Sequence, residues 1–598
     1  MNFSVVQIFI DKLLNFVKFT KENYLSHRQF IYILALVIGV MSGVYALLIV
    51  KTTVLVNNIL VEGLFKNYDF YYFIFPLLGL FFTFLIIKFI IRHKFSQGMS
   101  ATLLAITNKG IFKEKKHPWL SLITVPMTVG LGGSAGLEGP TVVSTASASS
   151  ALSQHFKLDQ KTRVLLIGCA AVGAMSSLFK APMAAIVFAI EVFALDFTLG
   201  SMLPLLISSI AAILTSYFFN DTDVLYPVRI IGEFNFKDLP NFFLLGLFCG
   251  LTSVFFTYFY TQTEGFFKKV KRPIHRILIG GLLIGIIVYF FPPVFGEGAE
   301  QMNLMLRGEG EKLIEGSFFE KWANPYVLVA FILSISFLKT IATATTLGAG
   351  GIGGIFGPSL FIGCSIGNGF SRILNILGFN VNETNFTLVG MAGLLAGVLH
   401  APLTAIFLIA EISNGYTLIV PIMMVVIVAF GINRYYFKVP FYKQELARMG
   451  ELTTHDRDEN IMRNIDLKEV IDTDFIALFD HQYLGDLVKN MEFSKKNLFP
   501  VLNEKGDFIG IINVSEMHNL LFERSKYDTL LLTELMIVPR ETIHFEKDNI
   551  KSVLKKFEES DSWVLPVLRN GNYYGMISKS RILNLYRNQL RDYDFDGF

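Results

Sequence analysis

Long apolar runs begin near Ile31, Phe70, Leu203, Phe242, Ile277, Tyr326 and Leu418. Each is long enough to cross a bilayer at about 20 residues per crossing. Between them lie shorter pieces rich in Gly, Ser, Ala and Thr, at 121–135, 140–156, 163–178, 182–195, 357–370, 386–399 and 402–414. Many of these are too short to span at about 1.5 Å of rise per residue, and several are interrupted by Pro or Gly. Irregular backbone at membrane depth persists only where protein covers it or where it lines a polar cavity. The pattern predicts an α-helical membrane domain of broken and tilted helices. From about Asn460 it changes to that of a soluble α/β region. There Phe499-Pro500-Val501 followed by Gly506–Ile512 parallels Leu565-Pro566-Val567 followed by Gly571–Ile577. Each copy reads as strand, Gly-bearing turn and second strand, flanked by amphipathic helical pieces such as Leu484–Phe493.

Composition sharpens this picture. The chain has 598 residues, 52% of them hydrophobic and only 17% charged, with 58 Phe and a mean hydropathy of +0.50. A soluble chain of this length would carry far more charge. A net charge of +3 gives no argument for nucleic-acid binding. Cys169, Cys249 and Cys364 lie in apolar or Gly-rich spans without metal-ligand spacing and read as small buried hydrophobes. The amphipathic, charged N-terminus lacks a cleavage site, so the run Ile31–Val56 is the expected targeting signal. Basic segments at Lys18–Arg28, Arg92–Lys94, Lys113–Lys116 and Lys268–Arg272 predict a cytoplasmic side shared by the charged tail from Lys443, in an inner, cell-bounding membrane.

The most informative feature is a repeat. Gly136-Leu137-Glu138-Gly139-Pro140 is matched by Gly354-Ile355-Phe356-Gly357-Pro358, 218 residues later. Lys180-Ala181-Pro182, running on to Glu191, is matched 220 residues later by His400-Ala401-Pro402, running on to Glu411. Two collinear pairs at nearly one offset indicate a duplication, and paired Gly/Pro breaks in corresponding halves point to a midplane substrate site. Each break puts a helix N-terminus, expected to start at Pro140 or Pro358, inside the membrane. Free amides and the positive end of the helix dipole then make an anion site without Lys or Arg. Glu138, an ionisable group at such a site, is functional by default. Its ionised carboxylate occupies the anion position and closes the path, and protonation or an arriving anion releases it.

These motifs resemble those of the CLC family of chloride channels and chloride/proton exchangers. The resemblance covers residues 30–445 and implies a fold of inverted-repeat broken helices, chloride or a similar small anion as substrate, and a homodimer with one pore per subunit. It implies that Glu138 is the gating glutamate, with Leu137 where the family has Arg. It places Gly139, Ile355 and Phe356 at the anion and matches Pro440-Phe441-Tyr442 to the element whose Tyr lines the inner end of the pathway. The family's Gly-Ser-Gly-x-Pro motif resembles Ser96–Ser100, putting Gln97 in the place of the usual Ser beside Gly98. Val192 falls where exchangers carry a second, proton-passing glutamate, which favours channel-like conduction over proton-coupled antiport by another route. Glu191 and Glu411 read as structural, satisfied by nearby helix ends. The C-terminal copies resemble tandem CBS modules, some of which bind adenine nucleotides. The corresponding positions are Asn513 with Glu516 and Ser578 with Arg581, and no nucleotide is assigned.

The expected organisation is a cytoplasmic segment at 1–28, the transport domain at 29–445, a linker at 446–460, and modules at 461–523 and 532–590. A CBS-bearing magnesium transporter would need clustered intramembrane acids, whereas Glu138, Glu191, Asp196 and Glu411 are scattered. With neither a metal-ligand His cluster nor a nucleophile–base constellation in the apolar region, an enzyme is not expected, and no cofactor or metal is assigned.

Overall fold

The computed structural model describes residues 26–59, 72–91, 98–108, 110–112, 118–195, 198–220, 235–413, 415–449, 465–517 and 519–595. It divides into two compact units, Met1–Leu452 and Thr453–Phe598. Among the described residues, seven helices of the first unit are long and apolar enough to cross a membrane. Six coincide with apolar runs expected from the pattern. The seventh is Gln160–Phe179, which the sequence presented as a short small-residue piece. Its Gly, Ala and Ser content lowers its hydropathy because it faces protein more than lipid, and 83% of its apolar window is buried. The run from Phe70 departs the other way, giving only a short apolar helix at Phe75–Phe89.

The helices that position the site are α1 (His27–Val56), α2 (Met99–Thr107), α3 (Glu138–His155), α4 (Gln160–Phe179), α5 (Pro182–Phe193), α6 (Leu239–Lys269), α7 (Pro273–Phe290), α8 (Pro325–Gly348), α9 (Phe356–Ile376), α10 (Glu383–Leu399) and α11 (Pro402–Ile412). Their ends follow local chemistry. Ser26 and Gln29 form a capping box on α1, and Asp159 caps α4 through the Thr162 amide at 3.0 Å. Pro at the first turn opens α5, α7, α8 and α11, where a missing N–H costs nothing.

The repeat is visible in the backbone itself. The triplet α3–α4–α5 is matched by α9–α10–α11. Helix α4 ends at Lys180 in the left-handed region (φ 56°, ψ 30°), and α10 ends at His400 in the same conformation (φ 56°, ψ 38°). Extended Ala181 and Ala401 then lead into the prolines that start α5 and α11. Such a turn stops each helix inside the protein and lets the next begin two residues later. Close packing of these short helices uses small residues. A Cβ on Gly363 of α9 would sit 2.5 Å from the Gly390 carbonyl of α10, and one on Gly390 would sit 2.5 Å from the Gly363 carbonyl. Backbones in contact at that distance gain dispersion along their length without any apolar side chain between them.

The second unit holds two three-stranded sheets. In the first, β1 (Leu478–Phe479) pairs in parallel with β2 (Leu498–Leu502), which pairs antiparallel with β3 (Phe508–Asn513). In the second, β4 (Ile543–His544), β5 (Val564–Arg569) and β6 (Asn572–Ser578) repeat that order. The helices Leu484–Met491 and Ile550–Ser560 occupy equivalent places between the first two strands of each sheet. Entry segments are exchanged. Ile465, Val470 and Ile471 pack into the core of the second sheet, and Asp472 bridges to Met576. Leu532 packs into the core of the first, and Ile537 bridges to Ile511.

Candidate anion pathway

The two Gly-Pro breaks meet. Gly136 donates its N–H to the Gly354 carbonyl at 2.8 Å, and Gly354 donates back to the Gly136 carbonyl at 2.7 Å. Residues 218 positions apart thus form a two-bond antiparallel bridge from which α3 and α9 depart. The helices begin at Glu138 and Phe356, two residues before the prolines expected to start them. Pro140 and Pro358 sit within the first turn, where amides lack intrahelical acceptors in any case. Two N-terminal turns therefore present free amides to one region.

Glu138 is the first residue of α3 and only 1% exposed. Neither of its carboxylate oxygens has a hydrogen-bond partner within the protein. The Gly357 amide lies beside it, and a Cβ on Gly357 would fall 3.0 Å from Glu138 Oε1. Burying such a group without a partner is costly, and a site that keeps one does so for function. Tyr442 is 6% exposed, and its hydroxyl is likewise buried without a partner. It is held through its backbone, whose carbonyl accepts a hydrogen bond from Ser100 Oγ of α2 at 3.0 Å.

A cavity of about 470 Å³ opens beneath these groups. Gly98, Gly139, Ile355 and Tyr442 all line it, so four residues singled out in the sequence converge on one space. Gly98 caps α2 in extended backbone (φ −123°, ψ 173°). Phe356 is fully buried, with its ring packed 5.1 Å from that of Phe179 and 6.1 Å from that of Phe188. Its ring is a core element, and only its backbone stands at the start of α9. Val192 is 5% exposed within the apolar core of α5. Gln97 lies outside the described residues, as does Asp196.

The sequence reading passed over two residues. Glu297 lies in the turn Gly296-Glu297-Gly298 after α7 and faces both Glu138 and the Leu137 amide. A Cβ on Gly357 would fall 2.9 Å from Glu297 Oε1, so that one point is flanked by both carboxyls. Lys339, in the middle of α8, is fully buried and donates from Nζ to the carbonyls of Val294 at 3.0 Å and Gly296 at 2.7 Å. Its ammonium also sits 4.7 Å from the Phe361 ring centroid. The available signals were an acid between two glycines and a lone Lys inside an apolar span. Among the described residues no cluster of His, Cys, Asp or Glu has the form of a metal site.

In the second unit, Asn513 and Glu516 bond each other at 2.6 Å on the surface. Ser578 lines a separate cavity of about 250 Å³ with Asp472 and Lys496, which form an ion pair, and Arg581 lies 3.4 Å from Asp472.

The sequence profile described as "Voltage gated chloride channel" matches residues 79–434. The voltage-gated ClC-type chloride channel ClcB of Escherichia coli (strain SMS-3-5) is 29% identical over 326 residues, 54% of this chain and 74% of that protein. The fold is similar to that of a slow cyanobacterial Cl⁻/H⁺ antiporter, at a TM-score of 0.58 and 19% identity over 71% of this chain and 98% of that one. It is also similar to a CLC-type fluoride/proton antiporter, at 0.53 and 23% over 69% and 96%. A eukaryotic CLC transporter covers more, at 0.56 and 15% over 92% of this chain and 97% of that one.

Proposed function

The chain belongs to the voltage-gated chloride channel family, and we propose that it carries chloride or a similar small anion across a membrane through the cavity below Glu138, with that carboxylate as the gate. The observation that carries this is the unpartnered, fully enclosed Glu138 carboxylate at the meeting point of two helix N-termini. An anion arriving there finds free amides and the Tyr442 hydroxyl, and competes with the carboxylate for the same positive field. Gly139 and Ile355 contribute backbone, so the site binds by dipoles and releases readily.

Conduction is uncoupled from protons on this proposal, because Val192 offers no titratable group on the vestibule side. Coupled antiport is the second possibility, favoured by relatives of the same fold that are described as antiporters. The protein acts as a homodimer in the inner membrane. Its second unit, two equivalent sheets with exchanged entry segments, is a cytoplasmic CBS-like regulatory pair.

Purified protein in liposomes, under a chloride gradient with an opposing pH gradient, tests the proposal. A reversal potential set by chloride alone is the expected result. A potential displaced by the pH gradient would assign antiport, and no chloride-dependent potential would refute anion transport.

A further inference from the structure

Glu297 meets Glu138 beside Gly357 and is not among the residues that line the cavity. The cavity is lined by Lys268, at the end of α6, and by Gly350–Gly354, just after α8. Helix α7 starts four residues after Lys269 and its 18 residues carry the chain away over about 27 Å. The turn holding Glu297 follows its far end. Glu138 is sealed at 1% exposure, whereas Glu297, though enclosed by protein, keeps part of its surface accessible. Lys339 holds the turn by its carbonyls and supplies the countercharge to Glu297. Two carboxyls flanking one point beside Gly357 resist being ionised together, and one lysine can balance only one of them.

We propose that Glu297 is the proton port of the gate: it takes protons from the solution opposite the cavity and delivers them to Glu138. This rests on Glu138 being the gate. In the transfer, the carboxyl O–H bond of Glu297 breaks and an O–H bond forms on the Glu138 carboxylate. Glu297 is left ionised against Lys339, and water on that side reprotonates it. Among the described residues, Tyr442 lies near Glu138 with Tyr260 beside it, and Glu264 and Lys268 stand further along the same cavity. All four line the cavity. The gate would then answer to protons from the face that Glu297 serves.

The test is the initial rate of chloride efflux from liposomes between pH 5 and 8, for the full chain and its variants. The wild type is expected to accelerate on acidification with a definite midpoint, and Glu138→Gln to be fast and flat. Glu297→Gln removes the repelling charge and leaves Lys339 to favour an ionised Glu138. Its midpoint should fall by about one unit or more, roughly a tenfold loss of proton affinity. Glu297→Asp keeps the charge and should recover most of the wild-type midpoint. The double variant Glu138→Gln/Glu297→Gln should conduct, which reports an intact pathway. A wild-type midpoint in Glu297→Gln, or an Asp variant displaced as far as Gln, overturns the port while leaving the gate. A pH-dependent Glu138→Gln overturns the gate and the port together.

Discussion

Glu191 and Glu411 each cap the helix that carries the other. Glu191, on α5, accepts the Leu403 and Thr404 amides at 2.9 and 2.8 Å and the Thr404 hydroxyl at 2.6 Å, all at the start of α11. Glu411, on α11, accepts the Met183 and Ala184 amides at 3.0 and 2.9 Å at the start of α5. Helix N-termini inside a membrane protein have no water to satisfy them, and a carboxylate also complements their dipole. The two repeats are thereby locked by reciprocal charge-assisted hydrogen bonds.

Replacing either acid should weaken the fold more than the transport chemistry. Glu191→Gln is expected to cost roughly 1–3 kcal/mol, and Glu411→Gln less, since it loses two bonds and not three. Thermal unfolding of the detergent-solubilised protein checks the order, and the two losses should be less than additive because the helices are shared.

Glu138→Gln removes the charge that competes with the anion while keeping the shape of the side chain. Chloride efflux near neutral pH should rise several-fold, to the rate the wild type reaches in acid. Flux assays across pH decide this, and an unchanged rate at neutral pH would remove Glu138 from the gate.

Tyr442→Phe deletes a buried hydroxyl that bonds nothing in the protein. Stability should therefore hold or rise slightly, while chloride binding weakens by about tenfold, as for one hydrogen bond to a charged group. Calorimetric titration with chloride separates these effects.

In the second unit, Asp548 lies 2.7 Å from Lys556 Nζ and accepts the His544 amide at 2.7 Å and the Ser552 hydroxyl at 2.9 Å. Burial alone would push this carboxyl up, but the bonds outweigh it and hold it below the usual carboxylate range. A depressed carboxyl stabilises the fold above its unfolded value, about 3.9, and loses that contribution as pH falls through its lower folded value. Asp548→Asn should thus reduce hydrogen-exchange protection of β5 at pH 7, and the difference from wild type should shrink as pH falls through the lowered folded value.

The sequence determined the elements and the identity of the breaks. Apolar runs, Gly/Pro interruptions and a recurring motif are local signals, and the chemistry of a Pro-started helix is fixed by backbone geometry wherever it lies. That is why Glu138 and the breaks at Gly139-Pro140 and Gly357-Pro358 stood out locally, whereas Ile355 and Tyr442 were singled out only through the family resemblance. Tertiary structure alone decided what meets what. The Gly136–Gly354 bridge joins residues 218 apart through backbone groups that carry no side-chain signature. The turn at Glu297 and the cation at Lys339 belong to different helical connections, and nothing in their own neighbourhoods places them against α3. The exchange of 465–472 onto the second sheet is of the same kind: both sheets offer an apolar face of the same pattern, and only packing chooses between them.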